Sequence, residues 1–327
     1  MANDAMTTWL NSLPSDSGFP CISTPRRYTF DENAYDQQYQ IEPGALASGK
    51  GVLNLLAAHE CDTQGPLMEI GCGTGHFSLG LASGSPFSYT LLTDPSTAFL
   101  NITRKKLQAN NIMTDQVRFA VFTGEDLSRV PANMLSCIAL RSTLHHVLDI
   151  DEFFTSAARA LRPGGVLIFQ EPFAEGFLLM AAMAQFLPQA VAASGAKLSD
   201  AERNKLQEFL DTMTFYLRRD VDKANCEDKH VFRANELITL CQQKGMAAKF
   251  YGNVNTEQFA VTPTDLQIVP FGRWFHDYTK YCMSWDESMM RLFRRHLAPA
   301  CELVEKATGG TSGPHFSGIV VAKKTDG

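Results

Sequence analysis

The chain has 327 residues, 45% of them hydrophobic and 20% charged, with a formal net charge of −6. That length buries a large core without staples, and the acidic balance argues against a nucleic-acid partner, which calls for a basic surface. No two of the eight cysteines sit at C-x-x-C spacing, so no metal is expected and a reducing compartment is inferred.

Residues 1–49 read as an irregular, polar segment carrying aromatic side chains, among them Tyr35 and Tyr39. Its start, Met1 to Asp16, lacks a basic stretch and a long apolar run, so no signal peptide and a cytoplasmic location are expected. From Lys50 the apolar residues Val52, Leu53, Leu55 and Leu56 fit a helix, which Gly65-Pro66 stops. Short apolar runs then alternate with helical patterns. Strands are predicted at Leu67–Gly71, Tyr89–Asp94, Val117–Thr123, Leu135–Arg141 and Val166–Glu171, with helices at Ser96–Asn110 and Asp151–Leu161 between them. Pro163-Gly164-Gly165 is read as the stop of the last of these helices. Such repetition implies a parallel sheet covered on both faces.

After Glu171 the alternation breaks. Residues 174–228 read as two helices, the second opened by the capping-box pattern Ser199-Asp200-Ala201-Glu202. The stretch Gly176–Ala193 is apolar, but Gln185, Pro188 and Gln189 interrupt it before the ~20 residues a membrane span needs. No membrane partner is expected. Alternation returns over residues 229–256, with a helix at 234–244 and a strand at 247–252. A second helical insertion follows at 257–314, and a final strand at His315–Lys323 closes the chain within 315–327. The fold class is therefore α/β, a Rossmann-like doubly wound sheet with helical cap insertions, and a core at 50–173. Ligands of open α/β sheets bind beyond the carboxyl ends of the strands, which puts the cap over that edge.

Gly71, Gly73 and Gly75 follow the first of these strands. Glycines there permit a tight turn and close approach of a ligand to the backbone, and the helix that follows offers free N–H groups. Glu69 precedes them, and Asp94 ends the next strand, 19 residues after Gly75. An acidic side chain at that place accepts hydrogen bonds from ribose hydroxyls. A nicotinamide-dependent oxidoreductase is the alternative, but its G-x-G-x-x-G spacing is not met, because position 76 is His.

With these features in place, the sequence resembles the class I S-adenosylmethionine (SAM)-dependent methyltransferases, particularly the small-molecule type related to quinone-biosynthesis enzymes. The resemblance rests on EIGCGTGHFS (Glu69–Ser78), LLTDPS (Leu91–Ser96), LHHVLD (Leu144–Asp149) and ALRPGGVLIFQEP (Ala160–Pro172). It implies SAM as cofactor and an antiparallel last strand. It also implies that Glu69, Gly71, Cys72, Gly73 and Gly75 lie along the methionine part, that Asp94 takes the ribose and that Pro95 passes beside the adenine. Thr123-Gly124 stands where the family often has an acidic contact to the adenine, with Glu125 as substitute. Arg141 falls near the sulfonium. No N/D-P-P-Y/F motif follows the fourth strand, which favours a small-molecule acceptor over a nucleic acid.

For the chemistry, His145 is the candidate general base or orienting group, against a purely structural histidine. Arg141 is a candidate for a substrate carboxylate, or for an ion pair pinning the cap. Glu171 could assist deprotonation or make structural hydrogen bonds. His146, Phe173, Phe177 and Trp274, with Tyr35 and Tyr39, are candidates to line an apolar acceptor pocket. The expected activity is methylation of oxygen or nitrogen on a small apolar or aromatic metabolite; a non-catalytic SAM-binding partner protein is the other reading. The large insertions equally suit a homodimer interface.

Overall fold

The N-terminal stretch is helical rather than irregular in the computed structural model, which describes residues 2–28, 31–39, 42–254, 256, 268–308 and 314–325. Helix α1 (Ala2–Asn11) buries Met6 and Leu10, one turn apart, in the sheet core. A two-residue hairpin follows, β1 (Ser15–Asp16) and β2 (Phe19–Pro20). Asp31 caps α2 (Glu32–Tyr39) by accepting from the Asn33 and Ala34 amides. Helix α3 (Glu42–Ala58) starts well before Lys50. Polar composition concealed these helices, because each shows the core only a narrow stripe.

The βαβ reading of the centre holds. In chain order come β3 (Pro66–Ile70), α4 (Ser78–Ala82), β4 (Tyr89–Asp94), α5 (Thr97–Ala109), β5 (Val117–Val121), β6 (Leu135–Arg141), α6 (Ile150–Ala160) and β7 (Leu161–Pro172). Ser96 and Asp149 cap α5 and α6, accepting from the amides three residues on. The Pro-Gly-Gly run is not a loop between helix and strand. It lies inside β7, where the pairing with β6 jumps from Leu135↔Leu161 to Cys137↔Val166. The extra residues are accommodated as a bulge.

The insertions contain more elements than the sequence pattern resolves. Helix α7 (Ala174–Gln185) breaks at Phe186 and resumes as α8 (Leu187–Ala193); α9 (Asp200–Leu217) carries the expected capping box between Ser199 and Glu202. Then come α10 (Ala234–Gln243), β8 (Met246–Gly252), α11 (Phe271–Asp277) running on through a π turn at Tyr278–Cys282, α12 (Glu287–Leu292), α13 (Ala298–Thr308) and β9 (Ser317–Lys324). Both insertions share one hydrophobic cluster, in which Phe177, Met180, Phe209, Phe275, Trp285 and Phe293 meet.

The main sheet has the order β5-β4-β3-β6-β7-β9-β8. Strands β3 to β7 are parallel, and β9 runs antiparallel to both its neighbours. Alternate residues serve opposite faces, as pleating requires. Met68, Ile138, Leu140, Leu167 and Phe169 pack with α1, α6 and α10, whereas Leu67, Cys137, Ala139, Val166 and Ile168 pack with α3 and α4. Asp94, Arg141 and Glu171 therefore arrive at one edge together.

Helices α3 and α4 touch through glycines. A Cβ on Gly49 would come within 2.6 Å of the Gly80 Cα, and one on Gly80 within 2.5 Å of the Gly49 Cα. Backbone cannot yield as a side-chain tip can, so Gly80→Val should lower stability by about 3 kcal/mol or more, at the top of the overpacking range. Urea unfolding checks this; an unchanged midpoint contradicts the close approach.

Candidate active site

The glycine loop turns through three left-handed residues: Gly71 (φ 70°), Gly73 (φ 52°) and Gly75 (φ 106°). Added Cβ atoms would strike the Thr143 side chain from Gly71 and the Leu79 side chain from Gly75, while Gly73 meets nothing within 4 Å. Two glycines thus serve packing, and the third leaves open space beside the loop. That cradle fits a ligand lying against bare backbone.

Two buried carboxylates flank it. Asp94 is 4% exposed and accepts from the Gly73 amide at 2.9 Å and the Ser96 amide at 2.8 Å. Burial outweighs these amides and pushes its carboxyl up to about 7. Two donors leave lone pairs on a buried carboxylate unserved, which suits ribose hydroxyls. Glu69 accepts from the Ser78 hydroxyl at 2.6 Å and is pushed up to about 8, chiefly by burial. Cys72 is buried with its thiol raised by the same cause, so it contributes backbone and packing rather than a thiolate.

The N-terminal segment crosses the ends of β4 and β5. Ile22 and Ser23 donate their amides to the Val121 carbonyl, Arg26 donates to the Pro95 carbonyl, and the Ser23 hydroxyl accepts from the Thr123 amide at 2.9 Å. Pro95, Thr123 and Gly124 therefore sit under a strap, and Glu125 lies 3.8 Å from Arg26. Tyr35 and Tyr28 pack at a tilt against Phe99, with centroids at 5.1 and 5.3 Å. Gln38 donates to the Tyr281 carbonyl at 2.7 Å, which ties α2 to the second insertion. The Tyr39 side chain lies outside the described residues.

At the end of β6, Arg141 points toward α3. It donates to the Ser48 hydroxyl at 2.8 Å and lies over the Phe77 ring at 5.3 Å. Ser142 then takes a left-handed conformation, φ 46°, uncommon for a residue with a Cβ. This turn aims the Thr143 and Leu144 amides at Glu171 Oε1, which accepts them at 2.9 and 2.7 Å. Glu171 Oε2 meets His145 Nδ1 at 2.6 Å, and the Glu171 side chain is wholly buried. Its role here is to hold the turn after β6.

His145 is engaged on both sides, because Asp228 Oδ1 lies 3.4 Å from its Nε2. Burial lowers its pKa, but Glu171 and Asp228 together raise it more, to about 10. A histidine held protonated near neutrality has no lone pair with which to accept a proton. His145, the candidate base or orienting group, thus has both ring nitrogens engaged and joins the core to the first insertion. Burial and the His145 charge push His146 down to about 4, and its Nδ1 lies 3.0 Å from the Glu227 carbonyl and 3.3 Å from Asp228.

Among the cap candidates, Phe173 is 0% exposed and packs edge-on against Phe250 at 5.3 Å. Just after β7, it donates its amide to the Phe316 carbonyl and packs in the sheet core rather than in a pocket wall. Phe177 meets Tyr216, Trp274 and Tyr278 edge-on at 5.9, 5.9 and 5.4 Å. Asp228, Tyr28, Ser23 and Ser48 escaped sequence reasoning. Only the acidic-basic cluster Glu227-Asp228-Lys229-His230 offered a signal, and nothing in it pointed at residue 145.

Residues 68–169 match a family profile described as a methyltransferase domain. An uncharacterised methyltransferase of Emericella nidulans is 29% identical over 120 residues, covering 33% of this chain and 42% of the relative. The ubiquinone/menaquinone biosynthesis C-methyltransferase UbiE of Vibrio cholerae is 29% identical over 113 residues, covering 33% and 43%. The human thiol S-methyltransferase TMT1B is 30% identical over 111 residues, covering 34% and 44%. The match thus spans less than half the length of these relatives. Haemonchus contortus phosphoethanolamine N-methyltransferase 2, solved with SAM, shares the fold at a TM-score of 0.52 and 12% identity, covering 92% of this chain and 59% of that one.

Two pH dependences follow. An ionised Asp94 accepts from both ribose hydroxyls, so SAM affinity should rise as pH increases through about 7. Calorimetric titration of SAM should show that rise in the wild type. Asp94→Asn should bind about 10–100-fold more weakly, from one lost charge-assisted bond, and keep no such step; wild-type affinity in the variant contradicts the assignment. The His145 pKa is raised on folding, so its ion pairs stabilise fully below the unfolded value of ~6.5 and fade as pH rises through about 10. His145→Gln should remove that alkaline loss from the unfolding free energy; an unchanged profile contradicts the link.

Proposed function

The chain belongs, through residues 68–169, to the class I SAM-dependent methyltransferases, and on that premise we propose that it methylates oxygen or nitrogen on a small apolar or aromatic metabolite. When bound, SAM supplies an electrophilic methyl group on a sulfonium. Asp94 and the open cradle at Gly73 fit the cofactor, on the strength of the unserved carboxylate and the unfilled space described above. Arg141 is held by Ser48 and the Phe77 ring, so its charge is fixed near the glycine loop.

One observation carries the acceptor class. Phe177, Tyr216, Trp274 and Tyr278 form an aromatic group in the cap, and Trp274 continues it onto Phe316 at 5.2 Å. Such walls favour apolar ligands and contribute mostly by desolvation and ring contacts. The strap over β4 and β5 and the bond from Gln38 to Tyr281 enclose the same edge. Toward the acceptor the protein contributes proximity and orientation.

Purified chain incubated with SAM and a panel of phenols, aryl amines and polar zwitterions tests the reading. Release of S-adenosylhomocysteine should be confined to the apolar aromatic acceptors. Trp274→Ala should raise KM for them about tenfold, roughly the 1.4 kcal/mol of a lost aromatic contact, with SAM affinity unchanged. Preference for zwitterions would overturn the acceptor class. SAM binding with no turnover on any acceptor would favour a non-catalytic SAM-binding protein.

A further inference from the structure

We propose that His145, His146 and Asp228 form a binding site for one divalent transition-metal ion of the zinc class. The donor atoms lie within 4.8 Å of one another. His145 Nε2 is 3.4 Å and His146 Nδ1 3.3 Å from Asp228 Oδ1. Ligands about 2.1 Å from a tetrahedral ion stand roughly 3.4 Å apart, so these separations suit an ion between the three side chains. Two imidazoles and one carboxylate leave a fourth position free, the pattern of open zinc sites.

The surroundings are built as such sites require. Glu171 Oε2 holds His145 Nδ1 at 2.6 Å, which fixes the ring and turns Nε2 toward Asp228. A carboxylate behind a ligating histidine is a recurrent device for orienting and strengthening the ligand. The Lys229 and His230 amides both donate to the His145 carbonyl and hold the Asp228 loop against the turn after β6. The Glu171 and Asp228 carboxylates flank His145 on its two ring nitrogens, and their negative charge favours a dication. The ion would replace the proton between His145 and Asp228. His146 would give up its bond to the Glu227 carbonyl and carry its proton on Nε2 instead.

The cluster belongs to the cofactor edge. Glu171, at the end of β7, holds both His145 and the turn after β6, which places the cluster at the carboxyl ends of the strands. Resting on the methyl-transfer reading, the free position would take the hydroxyl of the acceptor. Its proton would pass to solvent, the oxygen–carbon bond would form, and the carbon–sulfur bond of SAM would break to leave S-adenosylhomocysteine. An ion of this kind lowers the pKa of a bound hydroxyl and would activate the acceptor directly.

The test is titration of the chelator-treated full chain with Co²⁺, followed by visible absorption, with Zn²⁺ as competitor. One equivalent of Co²⁺ should give an intense tetrahedral spectrum that Zn²⁺ abolishes. Asp228→Asn and His146→Ala should eliminate it, and Glu171→Gln should weaken binding about 10–100-fold. Cys226→Ser and Cys282→Ser should leave it intact. SAM binding is measured on each variant by calorimetry, which separates loss of the ion from loss of the fold and keeps the methyl-transfer reading independent. The His146 side chain is 36% exposed, so His146→Ala decides the matter should Asp228→Asn unfold. No stoichiometric binding, binding that survives the histidine and aspartate variants, or binding lost with either cysteine would overturn the proposal.

Discussion

Burial of three carboxylates toward the carboxyl ends of parallel strands β3, β4 and β7 is the constraint on which the rest of the molecule depends. Glu69, Asp94 and Glu171 are 2%, 4% and 1% exposed. A buried carboxylate is tolerated only when donors converge on it, and each of these organises its own neighbourhood. Glu69 fastens the glycine loop to α4 through Ser78. Asp94 draws in the Gly73 and Ser96 amides and keeps capacity in reserve. Glu171 gathers the Thr143 and Leu144 amides and the His145 ring. The first two are left electrostatically under-served, which is the condition of a binding site. The third is satisfied, which is the condition of a support.

The edge is completed by chain segments that are remote in sequence. The N-terminal strap lies along β4 and β5, α2 reaches Tyr281, and Asp228 reaches His145. These ties make the cap continuous with the core. His145 in particular meets Glu171 on one side and Asp228 on the other. The aromatic group around Phe177, Tyr216, Trp274 and Tyr278 belongs to that cap.

The central βαβ units were legible because strands buried on both faces must be apolar throughout, and because capping residues such as Ser96, Asp149 and Ser199 mark helix starts locally. The glycine loop and Asp94 were legible for the same reason: their chemistry is set by neighbours within one βαβ unit. What escaped depends on tertiary contact. Phe173 looked like pocket lining, but it packs on Phe250 within the sheet core. The pairing of His145 with Asp228 joins residues far apart in the chain, and no local pattern encodes it. Helix α1 was hidden by polar composition, since among its described side chains Met6 and Leu10 are the ones buried in the core. Arg141 was placed at the right edge, but its bond to Ser48 could be seen only once α3 was in position.

A crystal structure with S-adenosylhomocysteine tests the account most directly. The account predicts the ribose hydroxyls on Asp94, the cofactor backbone against Gly73, and the sulfur turned toward the Phe177–Tyr216–Trp274 group. A ribose held elsewhere, for example on Glu125, or a sulfur facing solvent away from the cap, would contradict it.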